Sequence, residues 1–164
     1  MKSYAALAAM LVSSAAVPAF AQTPQTMVSA NDPASVVSAL EMGGYEATLD
    51  EDGSGDPMIT TELGGMVSYI YFYGCVENAE CSSLMFVTGF DRAEPWTADE
   101  ALKISQNIRF ASTWLDEEGD PFISWDVVAD QAGIPIGNFS LAVRSYANTV
   151  DQVADIVFAE ENAE

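Results

Sequence analysis

Acidic residues crowd the stretch LDEDGSGDPMIT, from Leu49 to Thr60. Asp50, Asp52, Ser54 and Asp56 fall on alternate positions, as at the start of a calcium loop. An EF-hand loop wants D-x-[DN]-x-[DN]-G and then a glutamate at its twelfth position. Counted from Asp50, Asp52, Ser54 and Gly55 fit, but the twelfth residue is Thr61 and Glu62 comes one place late. The flanks alternate like strands, where an EF-hand loop needs helices. A near-copy, LDEEGDPFIS from Leu115 to Ser124, misplaces its glycine and reads as a loop two residues shorter. What the two copies share is turn grammar: Gly for positive φ, Asp bonding its own backbone, and Pro where a strand restarts. Both read as hairpin turns. Asp50, Asp52, Ser54 and Asp56 keep a secondary reading as a weak, millimolar Ca²⁺ site, and no metal site or cofactor is expected otherwise.

Other chemistry is sparse. The chain has no histidine, which removes imidazole acid–base work, histidine-activated nucleophiles and most zinc sites. A carboxylate pair can run glycoside hydrolysis, but among 25 acids the adjacency of any two carries little meaning. The glycine stretch GSGD lacks the lysine of a phosphate-binding loop. No catalytic residues are expected.

The N-terminus sets the compartment. Lys2, the apolar run AALAAMLVSSAAV and the small-residue ending Ala19-Phe20-Ala21 have the layout of a secretory signal cleaved after Ala21. The run is too short and alanine-rich to span a bilayer. Gln22 follows the cut, so a lipoprotein anchor is not expected. The mature protein is expected in a bacterial periplasm. Losing 21 of 164 residues leaves 143, enough for one domain with a real core. Without Lys2 the chain holds four basic and 25 acidic residues. That balance argues against nucleic acid and anionic membranes, and permits a cation or a basic partner. In an oxidising compartment Cys75 and Cys81 are expected to form a disulfide that staples a hairpin.

The elements that must position these groups follow from periodicity. Residues 22–30 read as a flexible linker. Asp32 and Pro33 open a helix whose stripe is Val36, Val37 and Leu40, and Gly43-Gly44 ends it. YEATLD alternates as a half-buried strand, PMITTEL as a second and MVSYIYFYGC as a third; SSLMFVTGF is a fourth. Both faces of the last two are apolar, so they are expected to be central and covered by helices. Thr97 and Glu100 form a capping box for a helix running to about Arg109. FASTWLD and PFISWDVV are two more strands, in which Trp114 and Trp125 are expected to pair. A last helix runs from about Gly137 to Ala159. Its stripe of Phe139, Val143, Tyr146, Val150, Val153 and Val157 is expected to pack on the sheet. Residues 160–164 form an acidic tail. The class is α+β, an antiparallel sheet with helices packed on it, in the order α-β-β-β-β-α-β-β-α.

Tyr69, Tyr71 and Tyr73 share one face of the third strand, opposite Ile70 and Phe72. Sheet packing and a recognition face for a partner peptide are both open readings for them.

The segments GGYEATLDEDGSGDPMI, YIYFYGC with CSSLMF, NIRFASTWLDEEGDPFISWDV and GIPIGNFSLAV, taken in order, resemble the YbjN family, which carries the name of bacterial sensory transduction regulators. The resemblance covers roughly residues 31–159. It implies a fold similar to the dimeric chaperones of type III secretion, which hold a partner segment in extended form, and it brings no catalytic or ligand residues. The expected function is a non-enzymatic, exported, chaperone-like or regulatory interaction domain, monomeric or weakly dimeric, with a protein or peptide partner. The alternative is a periplasmic module binding a small molecule or Ca²⁺.

Overall fold

A computed structural model describes residues 26–159. The signal segment 1–21, the first residues of the expected linker and the acidic tail lie outside the described residues. The chain runs β1 (Met27–Val28), α1 (Pro33–Met42), β2 (Ala47–Glu51), β3 (Pro57–Leu63), β4 (Met66–Tyr73), β5 (Ser83–Gly89), α2 (Ala98–Asn107), β6 (Ser112–Leu115), β7 (Pro121–Val128), β8 (Ile134–Pro135) and α3 (Ile136–Val157). Strands β2 to β7 form one antiparallel sheet of six strands in the order β2-β3-β4-β5-β7-β6, and β1 pairs with β8 in a separate ribbon. This is the expected α+β class and element order, with two short strands added.

The added strands correct the reading of residues 22–30. From residue 26 onward the segment is built in: Val28 and Ala30 are buried, Ala30 N–H donates to the Ala129 carbonyl, and Ile136 N–H donates to that of Thr26. Two-residue strands leave no alternating pattern in a sequence, so the pairing is not visible there.

The register sorts every strand residue onto one of two faces. The inner face carries Ile59 and Leu63 of β3, Ile70 and Phe72 of β4, Leu84 and Phe86 of β5, and Ile123 of β7, all buried. Helix α3 closes this face. The whole expected stripe, Phe139, Val143, Tyr146, Val150, Val153 and Val157, is buried against it, and α1 adds Val36, Ala39 and Leu40. Each such aliphatic or aromatic side chain contributes roughly 1.5–3 kcal/mol on burial. Helix α2 lies instead along the free edge of β6, where Ser105 Oγ accepts the Thr113 backbone N–H at 3.0 Å. The expectation that helices cover both faces of β4 and β5 is therefore corrected: α1 and α3 pack on the inner face, and α2 guards an edge.

Local signals act much as read, with one exception. The capping box is present: Thr97 N–H and hydroxyl both donate to Glu100 Oε2, and Glu100 N–H donates back to Thr97 Oγ1. The bonds from the Thr97 hydroxyl and then its backbone hold the Glu100 carboxyl below its ordinary pKa. Helix α1 ends in a Schellman turn, with Tyr45 N–H donating to the Leu40 carbonyl and Gly44 N–H to that of Glu41, Gly44 being at φ 87°. Asp32 precedes α1 but makes no side-chain cap; Ser35 Oγ donates to the Asp32 carbonyl and accepts from Ser29 N–H. The two-residue Gly64-Gly65 turn has positive φ at both positions, and a Cβ on Gly64 would collide with the α3 backbone at Ala147 and Asp151.

One polar relay crosses the core. Tyr146 OH donates to the Ile123 carbonyl at 3.0 Å, Thr88 Oγ1 lies 3.1 Å from Tyr146 OH, and Ser68 Oγ lies 2.7 Å from Thr88 Oγ1. Thr88 donates to Tyr146 and Tyr146 to the carbonyl, while the Ser68 hydroxyl has both Thr88 Oγ1 and, at 3.2 Å, the Met66 carbonyl within reach, so every group of the relay has a partner. Burial raises the Tyr146 phenol well above its ordinary pKa, against a smaller lowering by Thr88. A raised folded-state pKa keeps its stabilising contribution whole below about pH 10, the ordinary Tyr value, and loses it as pH rises further. Urea denaturation of the Tyr146→Phe variant should show a loss of about 1–2 kcal/mol at neutral pH and a shallower decline above about pH 10 than the wild type. An unchanged midpoint at neutral pH would contradict the relay.

Candidate interaction surface

The outer face of the sheet carries the groups that the helices leave uncovered. Its residues include Thr48 and Asp50 of β2; Met58, Thr60 and Glu62 of β3; Val67, Tyr69, Tyr71 and Tyr73 of β4; Met85 and Gly89 of β5; Phe122 and Asp126 of β7; and Trp114 of β6, while Val87 and Ser124, paired on the same face, are buried among them. Tyr69 stands opposite Thr60 and Val87, and Tyr71 opposite Met58 and Met85. The three tyrosines are thus brought together on one open surface. Tyr73 is 47% exposed, Tyr69 and Tyr71 are half-buried, and their rings lie 6.1 Å apart. Desolvation raises the Tyr71 phenol above its ordinary pKa, and the neighbouring Tyr69, Tyr73 and Asp52 add to the rise.

At the β7 end the aromatic surface continues. Trp114 stacks on Phe122 with centroids 5.5 Å apart and a 17° tilt. Phe122 in turn lies over Gly89, where a Cβ would run into its ring. Trp114 and Trp125 do not pair, because residues at odd spacing on antiparallel neighbours fall on opposite faces. Trp125 points inward, 4.3 Å from Phe110 and 6.5 Å from Phe86. Phe110 adopts φ 63° in the turn into β6, and the Arg109 guanidinium sits 4.8 Å from its ring.

The acidic turns flank this face at two of its corners. In the first, Asp52 Oδ1 accepts N–H bonds from Ser54 at 2.7 Å and Asp56 at 3.0 Å. Asp52 N–H donates to the Asp56 carbonyl, and Gly55 sits at φ 86°. In the second, Asp116 Oδ1 accepts from Glu118 at 3.0 Å and Asp120 at 2.8 Å. Asp116 N–H donates to the Asp120 carbonyl, and Gly119 sits at φ 87°. These are the same turn made twice, joining Glu51 to Pro57 and Leu115 to Pro121. The sequence expectation of a shorter second loop is corrected. Leu49 and Leu115 are not equivalent, since β2 runs on past Leu49, and the shared pattern is D-x-x-G-D-P. Asp50 Oδ1 accepts from Glu51 N–H, and Asp56 Oδ1 from the Asn78 amide.

Asn78 belongs to the loop between β4 and β5. There the Cys75 and Cys81 sulfurs lie at bonding distance, in the arrangement of a disulfide. Asn78, at φ 60°, also donates to the Ser54 carbonyl, so the cysteine loop is tied to the first acidic turn. On the inner side, a separate cleft of about 360 Å³ opens between β7 and the first half of α3, lined by Phe110, Trp125, Val127, Ile134, Leu141 and Ala142. Sequence reasoning missed it because it is bounded by residues that periodicity assigns simply to core.

The two faces of β4 give opposite mutational expectations. Phe72→Ala should cost about 3–5 kcal/mol, because Phe72 is 1% exposed on the inner face. Tyr73→Ser should stay within about 1 kcal/mol, as for an exposed side chain. Thermal denaturation of both variants checks this, and equal losses would place the tyrosines in the core.

Among curated proteins none matches the chain. A family model does match, over residues 32–158; it is YbjN, described as "Putative bacterial sensory transduction regulator". The match spans most of the 164 residues and the whole sheet with α1 and α3. The chain belongs to the YbjN family.

Proposed function

We propose that this protein is an exported, non-enzymatic interaction domain of a regulatory or chaperone-like kind, which holds a segment of a partner protein on its outer sheet face. The observation that carries this reading is that face itself, which bears three tyrosines, two methionines and Trp114 and on which none of the three helices packs. Tyrosine and tryptophan supply large contact area at modest entropic cost, methionine adapts its shape to a partner, and all three are enriched in protein interfaces. The description of the family as regulators supports the same direction. The absence of histidine from the sequence supports a binding role over catalysis. Among the described residues no helix is long and apolar enough to cross a membrane. Export after cleavage at Ala21 is part of the proposal and rests on the N-terminal sequence.

A second reading, binding of a small apolar molecule, has the inner cleft beside Trp125 and Leu141 in its favour. The Ca²⁺ reading at Asp50, Asp52, Ser54 and Asp56 gains no such support, since Asp52 spends one oxygen on two backbone N–H groups.

Photo-crosslinking in cells separates these readings. A benzophenone side chain at Tyr71 or Tyr73 should give discrete protein adducts in the periplasmic fraction. The same group at Met42 or Leu102, exposed on helices, should not. Equal adducts from all four positions, or adducts confined to the cytoplasm, would contradict the proposal.

A further inference from the structure

The outer face is one-sided in charge as well as open. No strand of the sheet carries a Lys or Arg. The described basic residues are Lys103 on α2, Arg144 on α3, Arg109 after α2 and Arg92 after β5. Arg92 turns away from the sheet face: its guanidinium lies 5.4 Å from the Trp96 ring and donates to the Glu94 and Val157 carbonyls. By contrast, Asp50, Glu62 and Asp126 project from the outer face itself.

A concavity of about 260 Å³ lies at the end of this face where β4, β5 and β7 meet. Val67, Tyr69 and Phe122 line it, with the Phe122 ring lying over Gly89. Asp91 and Asp120 stand at its rim. Asp91 is exposed, and Asp120 Oδ1 accepts the Arg92 backbone N–H at 3.0 Å, which fixes that carboxylate in place. Aromatic side chains beside carboxylates are two features that attract a guanidinium or ammonium: the Tyr69 ring by cation–π attraction and the carboxylates by charge. Val67, 56% exposed, offers apolar cover for an aliphatic stem.

We propose that the outer face takes a basic, extended segment of the partner, and that one arginine or lysine of that segment enters the pocket between Tyr69 and Phe122, beneath Asp91 and Asp120. This deepens the function proposed above and rests on it. The charge asymmetry decides the chemistry of the occupant, since an acidic segment would meet only like charge on this face. A second copy of the chain fits less well, because it brings the same excess of 25 acidic over 5 basic residues.

The test is calorimetric titration of the full chain with three capped six-residue Thr/Val peptides carrying Arg, citrulline or Glu at one central position. The Arg peptide should bind about tenfold more tightly than its citrulline isostere, a margin that shrinks at high salt. The Glu peptide should bind more weakly than either. The Arg preference should fall in Asp91→Asn and vanish with Asp120→Asn added. Asp91 is exposed, so the single variant reports even where the double variant is destabilised. Equal affinity for the three peptides, or an Arg preference untouched in Asp91→Asn, would overturn the inference and leave the interaction surface standing. No binding by any peptide, with crosslinks at Tyr71 and Tyr73 retained, would overturn it equally. Loss of those crosslinks would remove the underlying surface instead.

Discussion

The seating of α3 on one face of the sheet is the constraint on which the rest of the structure depends. Its stripe shares one buried cluster with the inner residues of β3, β4, β5 and β7, and Tyr146 ties it to the sheet through Thr88 and the Ile123 carbonyl. Because strand side chains alternate, committing Ile70 and Phe72 to the buried cluster on the inner face sends Tyr69, Tyr71 and Tyr73 to the other side. The open face is thus a consequence of the core. With α1 also packed on the inner side and α2 spent on the β6 edge, the helices leave the tyrosines uncovered.

The edges and turns then define the borders of that face. Ser105 occupies a free donor of β6, while β2 stays short and carries Asp50 and Glu51, features that discourage pairing with a further strand. The two D-x-x-G-D-P turns use an aspartate to bind their own backbone and leave the other acids at the rim. The Cys75–Cys81 loop braces the first of these turns through Asn78. A partner that meets this surface meets aromatic rings and methionines in the middle and carboxylates around them.

Much of this is legible in the sequence, for identifiable reasons. The α3 stripe is readable residue by residue because a long helix repeats its period many times, and the alternation in β4 places the tyrosines together on one face. Whether that face is covered is not legible, because an apolar residue on a half-open sheet looks like one in a closed core. Leu49 shows the same ambiguity from the other side: it reads as half-buried, yet at the sheet edge it is 47% exposed. The β1–β8 ribbon escapes notice because two residues carry no period. The equivalence of the two turns is legible once D-x-x-G-D-P is aligned on its glycine rather than on the preceding leucine.

Hydroxyl-radical footprinting of the folded protein, read by mass spectrometry at single residues, tests the one-sided sheet most directly. Oxidation of Tyr71, Tyr73, Met58 and Met85, with protection of Phe72, Phe86 and Tyr146, is the result the structure predicts. Protection of the tyrosine strand to the same degree as Phe72 and Tyr146 would mean that both faces are covered, and would contradict the account.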